Sequence, residues 1–123
     1  MANVNMYNIE VIGEAEKVKI FVEYMKGFRD KQLCGVYSDE VFYMYYNSKH
    51  IVNGSCRNSV YTSMLGEKGS YYNMLTEEDK TEFTTLELLS VLLNLKFEIE
   101  GKTDVIGEKE RIIVENGQFS VGQ

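Results

Sequence analysis

Proline and tryptophan are absent from this chain, alanine occurs only at positions 2 and 15, and lysine outnumbers arginine ten to three. These shortages carry the codon-usage imprint of an AT-rich genome, bacterial or phage, and say nothing of mechanism. Histidine occurs once, at His50, and cysteine twice, at Cys34 and Cys56. A zinc site would need C-x-x-C or H-x-x-x-H spacing, which these three residues lack, so no metal or other cofactor is expected. No run approaches the roughly 18 consecutive apolar residues of a membrane helix. The opening Met-Ala-Asn-Val-Asn-Met-Tyr has neither the basic nor the apolar region of a secretory signal. The expected location is the cytoplasm of a bacterial host, with reduced, buried thiols favoured over a disulfide.

What is present fits one ordinary globular domain over residues 1–123, with 44% apolar and 26% charged residues. The net charge of −6 is uneven. Residues 1–60 hold seven acids and seven bases, and residues 61–123 hold twelve acids and six bases. Phosphate backbones repel such a protein, so direct nucleic-acid binding is not expected, and a basic protein surface is the natural electrostatic partner.

Period-2 alternation of Tyr7, Ile9 and Val11 predicts a strand that stops at Gly13. Apolar residues at spacings of three and four then predict a helix from Glu14 to Phe28, with acids at its start and bases at its end. Short strands are expected over Leu33–Tyr37 and Val41–Tyr46, separated by a turn at Ser38-Asp39-Glu40. Asn53-Gly54 is a tight-turn signal, and antiparallel structure should continue past it to Leu65, followed by a loop over Gly66–Lys80. A second helix is expected with Thr84 as N-cap, Glu87 completing a capping box and Phe83 and Leu88 forming a staple. Its apolar residues, Leu86, Leu88, Leu89, Val91, Leu92, Leu93 and Leu95, cover more than one face and predict deep packing, and Asn94 is its terminator. A strand around Phe97 and Ile99, a loop over Gly101–Gly107 and a strand over Glu110–Glu115 follow. Asn116-Gly117 then turns the chain into Gln118–Val121. The order predicts an α+β fold: a ferredoxin-like sandwich, its antiparallel sheet covered by two helices on one face, with an extra C-terminal hairpin.

Three segments resemble the YubB-like ferredoxin-fold domain family of phage and plasmid proteins. Asn5–Gly13 followed by Glu14–Phe28 is similar to its first strand, glycine and helix. Gly54-Ser-Cys-Arg-Asn-Ser-Val-Tyr-Thr-Ser-Met-Leu65 is similar to its middle segment, although Asn58 stands where the family usually has Trp and Tyr7 stands near its early Trp. Glu108–Gly117 looks like its closing strand. The resemblance implies a ferredoxin-like fold and a mobile-element origin, and by size, charge and context it extends to anti-CRISPR and other anti-defence inhibitors.

The candidate sites carry competing readings. His50, in Asn47-Ser48-Lys49-His50, reads as a solvated loop histidine rather than a general base, since no serine lies in a nucleophile-elbow context. Cys56 beside Arg57 could be an activated nucleophile, but in a probable strand position an inward cysteine acts as a small hydrophobe. With Ser59 and Tyr61 these two form an alternative small-ligand or nucleotide site. Glu77, Glu78, Asp79 and Glu82 are either a solvated helix start or an acidic patch for lysines and arginines of a partner. Tyr43 and Tyr45 share one strand face while Phe42, Met44 and Tyr46 share the other, and whichever is uncovered suits a protein partner. The expected function is non-enzymatic. The chain should bind a host protein with a basic surface, a Cas effector being one form, through Glu77, Glu78, Asp79, Glu82, Tyr71 and Tyr72. A homo-oligomer paired through an open edge such as Gln118–Val121 is the remaining alternative.

Overall fold

The computed structural model describes residues 4–103 and 109–122. Alternation in the first segment makes β1, Val4–Ile12, whose Asn5, Tyr7, Ile9 and Val11 point to the interior. Both of its edges are occupied. It pairs antiparallel with β4 (Lys49–Arg57) on one side and with β6 (Lys96–Thr103) on the other, so Ile9 lies between Val52 and Ile99. β3 (Phe42–Tyr46) extends the sheet beyond β4, while β7 (Lys109–Glu115) and β8 (Gln118–Val121) extend it beyond β6. The result is an α+β fold with a six-stranded antiparallel sheet in the order β3-β4-β1-β6-β7-β8, consistent with a ferredoxin-like layout. The Asn116-Gly117 turn is left-handed at both residues (φ 55° and 78°), the geometry that closes a two-residue hairpin between β7 and β8. Of the loop expected over Gly101–Gly107, residues 101–103 instead continue β6, paired with both β1 and β7, and residues 104–108 lie outside the described residues.

Helices cover one face of this sheet. α1 runs Ala15–Met25 and sets Val18, Phe21, Tyr24 and Met25 into the core, with Phe21 and Phe97 at 4.6 Å between ring centroids. It ends three residues earlier than expected. Gly27 (φ 77°) turns left-handed, its N–H donating to the Tyr24 carbonyl while the Phe28 N–H donates to the Glu23 carbonyl. That Schellman closure swings Phe28 out of the helix and leaves it 74% exposed.

The middle crossover departs most from expectation. Asn53-Gly54 makes no turn but lies inside β4, paired with Asn8 and Tyr7; β4 ends at Arg57, and a helix, α2 (Val60–Met64), replaces the predicted strand continuation. Asn58 is left-handed (φ 60°) and the Ser59 side chain accepts the Thr62 N–H, so backbone and cap together start a helix. The predicted loop contains α3 (Tyr71–Met74) and a 3-10 turn at Asp79–Glu82. The predicted strand over Leu33–Tyr37 shrinks to β2 (Gln32–Leu33), which pairs in parallel with β5 (Phe83–Thr84).

That pairing draws Thr84 into a strand, so the N-cap of α4 (Leu86–Leu92) passes to Thr85, whose hydroxyl accepts the Leu88 N–H at 3.3 Å. Glu87 is therefore one place too early for a capping box, and its carboxylate instead accepts the Gly66 N–H. Leu88 points to solvent, so it forms no staple. Deep packing of α4 is also overturned: Leu86 and Leu89 are buried, but Leu88, Val91 and Leu92 are more than half exposed, because the sheet meets this two-turn helix from one side only. Asn94 (φ 53°) terminates it as expected.

The Tyr7 hydroxyl is buried with no hydrogen-bond partner among the described residues, and burial raises its pKa well above the ordinary value. Tyr7→Phe removes an unsatisfied polar atom without changing ring shape, so it should raise unfolding stability by about 1 kcal/mol in urea titrations. A loss of similar size would show that the hydroxyl is satisfied.

Candidate functional site

The segment from Gly54 to Leu65 contains the alternative small-ligand site, Cys56, Arg57, Ser59 and Tyr61. Its polar groups hold a junction. Glu110, on β7, places one carboxylate oxygen 2.7 Å from Asn5 Nδ2 and 2.9 Å from the Val60 N–H, and the other 3.2 Å from the Tyr61 N–H. The carboxylate thus satisfies two of the free N–H groups that begin α2. Gly101, next to it on β6, has to lack a side chain, because a Cβ there would lie 2.9 Å from both Glu110 Oε1 and Val60 Cγ2.

Cys56 is fully buried beside this junction. Burial pushes its pKa up to about 12, and the Glu110 charge adds to the shift, while a hydrogen bond with Ser63 opposes it. Burial also raises the pKa of Cys34. Both thiols are free. A thiol held neutral in this way is the opposite of an activated nucleophile. Ser59 Oγ caps α2 and contacts Thr62 Oγ1 at 2.8 Å, and Tyr61 packs edge-on to Phe119. Of the four residues of the alternative ligand site, Arg57 is exposed, Ser59 and Tyr61 are half-buried and Cys56 is buried.

The residues expected to meet a partner are placed unevenly. Glu77, Glu78, Asp79 and Glu82 are all exposed, around the 3-10 turn that precedes β5. Glu77 lies 3.5 Å from Lys80 Nζ, and the other three carboxylates have no ion-pair partner among the described residues. Tyr71 and Tyr72 are half-buried rather than exposed. The Arg57 guanidinium sits 5.3 Å from the Tyr71 ring centroid, and Asn58 Nδ2 donates to the Tyr71 hydroxyl. Lys80 Nζ lies 5.6 Å from the Tyr72 centroid. These rings are covered by cations of their own chain.

The exposed aromatics lie elsewhere. On the uncovered sheet face, Phe42, Met44 and Tyr46 of edge strand β3 all reach solvent, Tyr46 at 70% exposure, and Met44 pairs across to half-buried Ile51. The rest of that face carries the ion pairs Lys49–Glu10, Lys96–Glu98 and Arg111–Glu100. On the other face of the same strand, Tyr43 is half-buried, with its hydroxyl 2.7 Å from His50 Nδ1. His50 is thus a strand residue stacked between Tyr43 and Tyr45, and the turn before it is confined to Asn47-Ser48. No local pattern marks Glu110, whose partners are distant in the chain. The exposed aromatic face was legible in the alternation of β3.

Among the described residues no group of His, Cys, Asp or Glu is placed to hold a metal ion, and no helix is long and apolar enough to cross a membrane. No family model matches the chain, and no curated protein or solved structure shows significant similarity to it.

Two substitutions probe the junction and its surroundings. Glu110→Ala strands three donors and should lower stability by about 2 kcal/mol, with Glu110→Gln losing less because one oxygen still accepts. Equal stability of both variants to the parent would remove Glu110 from this role. Glu87 has its pKa raised above 4.5, mainly by burial, although the Gly66 N–H partly opposes the shift. A carboxyl raised in the fold favours folding below its unfolded value and loses that contribution as pH rises through its folded value. Urea titrations between pH 4 and 7 should therefore show the parent falling relative to Glu87→Gln as pH increases.

Proposed function

We propose that this chain is a non-enzymatic binding protein of phage or mobile-element origin, a ferredoxin-like sandwich of YubB-like type that docks on a host protein with a basic surface. The observation that carries the reading is the apolar-aromatic group Phe42, Met44 and Tyr46 left on the uncovered face beside Ile51. A solvated antiparallel face normally alternates to polar side chains, and exposed aromatics and methionines in one patch are the composition of a protein interface. The charge of the partner follows from the four exposed carboxylates at Glu77, Glu78, Asp79 and Glu82 and from the net charge of −6.

A catalytic reading has little to stand on. The nucleophile candidate is buried and held neutral, the one histidine is stacked between tyrosines, and Ser59 is occupied as a cap. An anti-defence inhibitor, such as an anti-CRISPR protein engaging a Cas effector, is the form of activity that suits an acidic chain of 123 residues. Strand order supports the ferredoxin-like layout: the run β3-β4-β1-β6 places the first strand between the second strand of the β3–β4 hairpin and the strand that follows α4, with β7 and β8 as the added hairpin.

Affinity capture from bacterial lysate tests the binding reading with three proteins: the parent, Phe42→Ser/Met44→Ser/Tyr46→Ser, and Glu77→Lys/Glu78→Lys/Asp79→Lys/Glu82→Lys. A basic protein retained by the parent and lost from both variants is the expected result. The same partners on all three would overturn the surface assignment, and a dimer of the parent in light scattering would favour self-association instead.

A further inference from the structure

The groove between α1 and β3 lies on the helix-covered side, away from the aromatic face, and has a volume of about 530 Å3, within the usual range of small-molecule sites. Its α1 wall is formed by Ala15, Lys19, Val22, Glu23 and Lys26, whereas Val18, Phe21, Tyr24 and Met25 face the core. Tyr43 and His50 form the opposite wall, locked to each other by the 2.7 Å contact between hydroxyl and ring nitrogen. Phe28 lines one end, held outside the core by the left-handed Gly27 closure of α1. A large aromatic that is 74% exposed here is lining the groove instead of the protein interior.

The charges at this groove run against those of the molecule. In a chain of net charge −6, Lys19 and Lys26 stand at its edge with no ion-pair partner among the described residues. Glu23, between them on α1, is engaged by Arg29 at 2.9 Å, so its negative charge is already matched. Lys26 and Phe28 also border a neighbouring depression that holds Asp39, which leaves Lys19 as the cation facing this groove alone. An apolar floor with lysines on its rim is complementary to an amphipathic anion.

We propose that this groove binds a small amphipathic monocarboxylate, its apolar body lying on Val22, Phe28 and Tyr43 and its head group meeting Lys19 and Lys26. The site is independent of the proposed protein-binding face, and either assignment can fail without the other.

The chain contains one histidine, so the His50 ring resonances report on this groove without ambiguity. Decanoate, kept below its micelle concentration, should shift them saturably, while decylammonium of the same chain length should leave them in place. Lys19→Glu should weaken decanoate binding by roughly fivefold, as expected for reversing one exposed charge. Phe28→Ser should weaken it through the apolar body, and Phe42→Ser, on the other sheet face, should have no effect. Unmoved His50 resonances, equal shifts from both amphiphiles, or unchanged affinity in Lys19→Glu would each overturn the proposal.

Discussion

Everything in this fold hangs on β1 having both edges paired. A strand with a neighbour on either side has no freedom of register, since a shift of one residue would carry Tyr7, Ile9 and Val11 from the core to solvent. The constraint is sharpest at Tyr7, which lies in register between Gly54 and Gly101. A Cβ at Gly54 would approach the Tyr7 hydroxyl to 2.7 Å, so that glycine makes space for the phenol. Gly101 makes space on the other side for Glu110 and the start of α2. Two missing side chains allow one tyrosine and one carboxylate to occupy a single layer.

Most residue types associated with catalysis are used here to hold elements together. Cys56 fills the interior, Ser59 starts a helix, Glu110 accepts three N–H donors, and the Tyr43–His50 pair braces an edge strand. What remains free is surface: an aromatic strip on one sheet face, four carboxylates on a turn, and a lysine-rimmed groove on the helix-covered side.

Features set by neighbouring residues were readable from sequence. The core stripe of α1, the Asn116-Gly117 hairpin and the Asn94 terminator all follow from local periodicity or local backbone preference. Features set by distant contacts were not. Thr84 carries the sequence marks of an N-cap, but pairing with Leu33 makes it a strand residue and hands the cap to Thr85. Leu88, Val91 and Leu92 read as core because apolar composition does not reveal how far the sheet extends beneath α4. Glu110 looked like one polar position in a strand, although its partners lie 49, 50 and 105 positions away.

Those separations matter for how the chain reaches its fold. Strand β1 and α2 emerge early in synthesis, but the carboxylate that joins them belongs to β7. At roughly 5–20 residues per second, several seconds pass between translation of α2 and of Glu110. Until Lys96–Thr103 has been made, β1 lacks β6 on one edge, and the hairpin of β3 and β4 can zip locally while the core stays open. Closure therefore waits for β6 and β7, and until then the unpaired edge of β1 is the surface that a chaperone would have to shield.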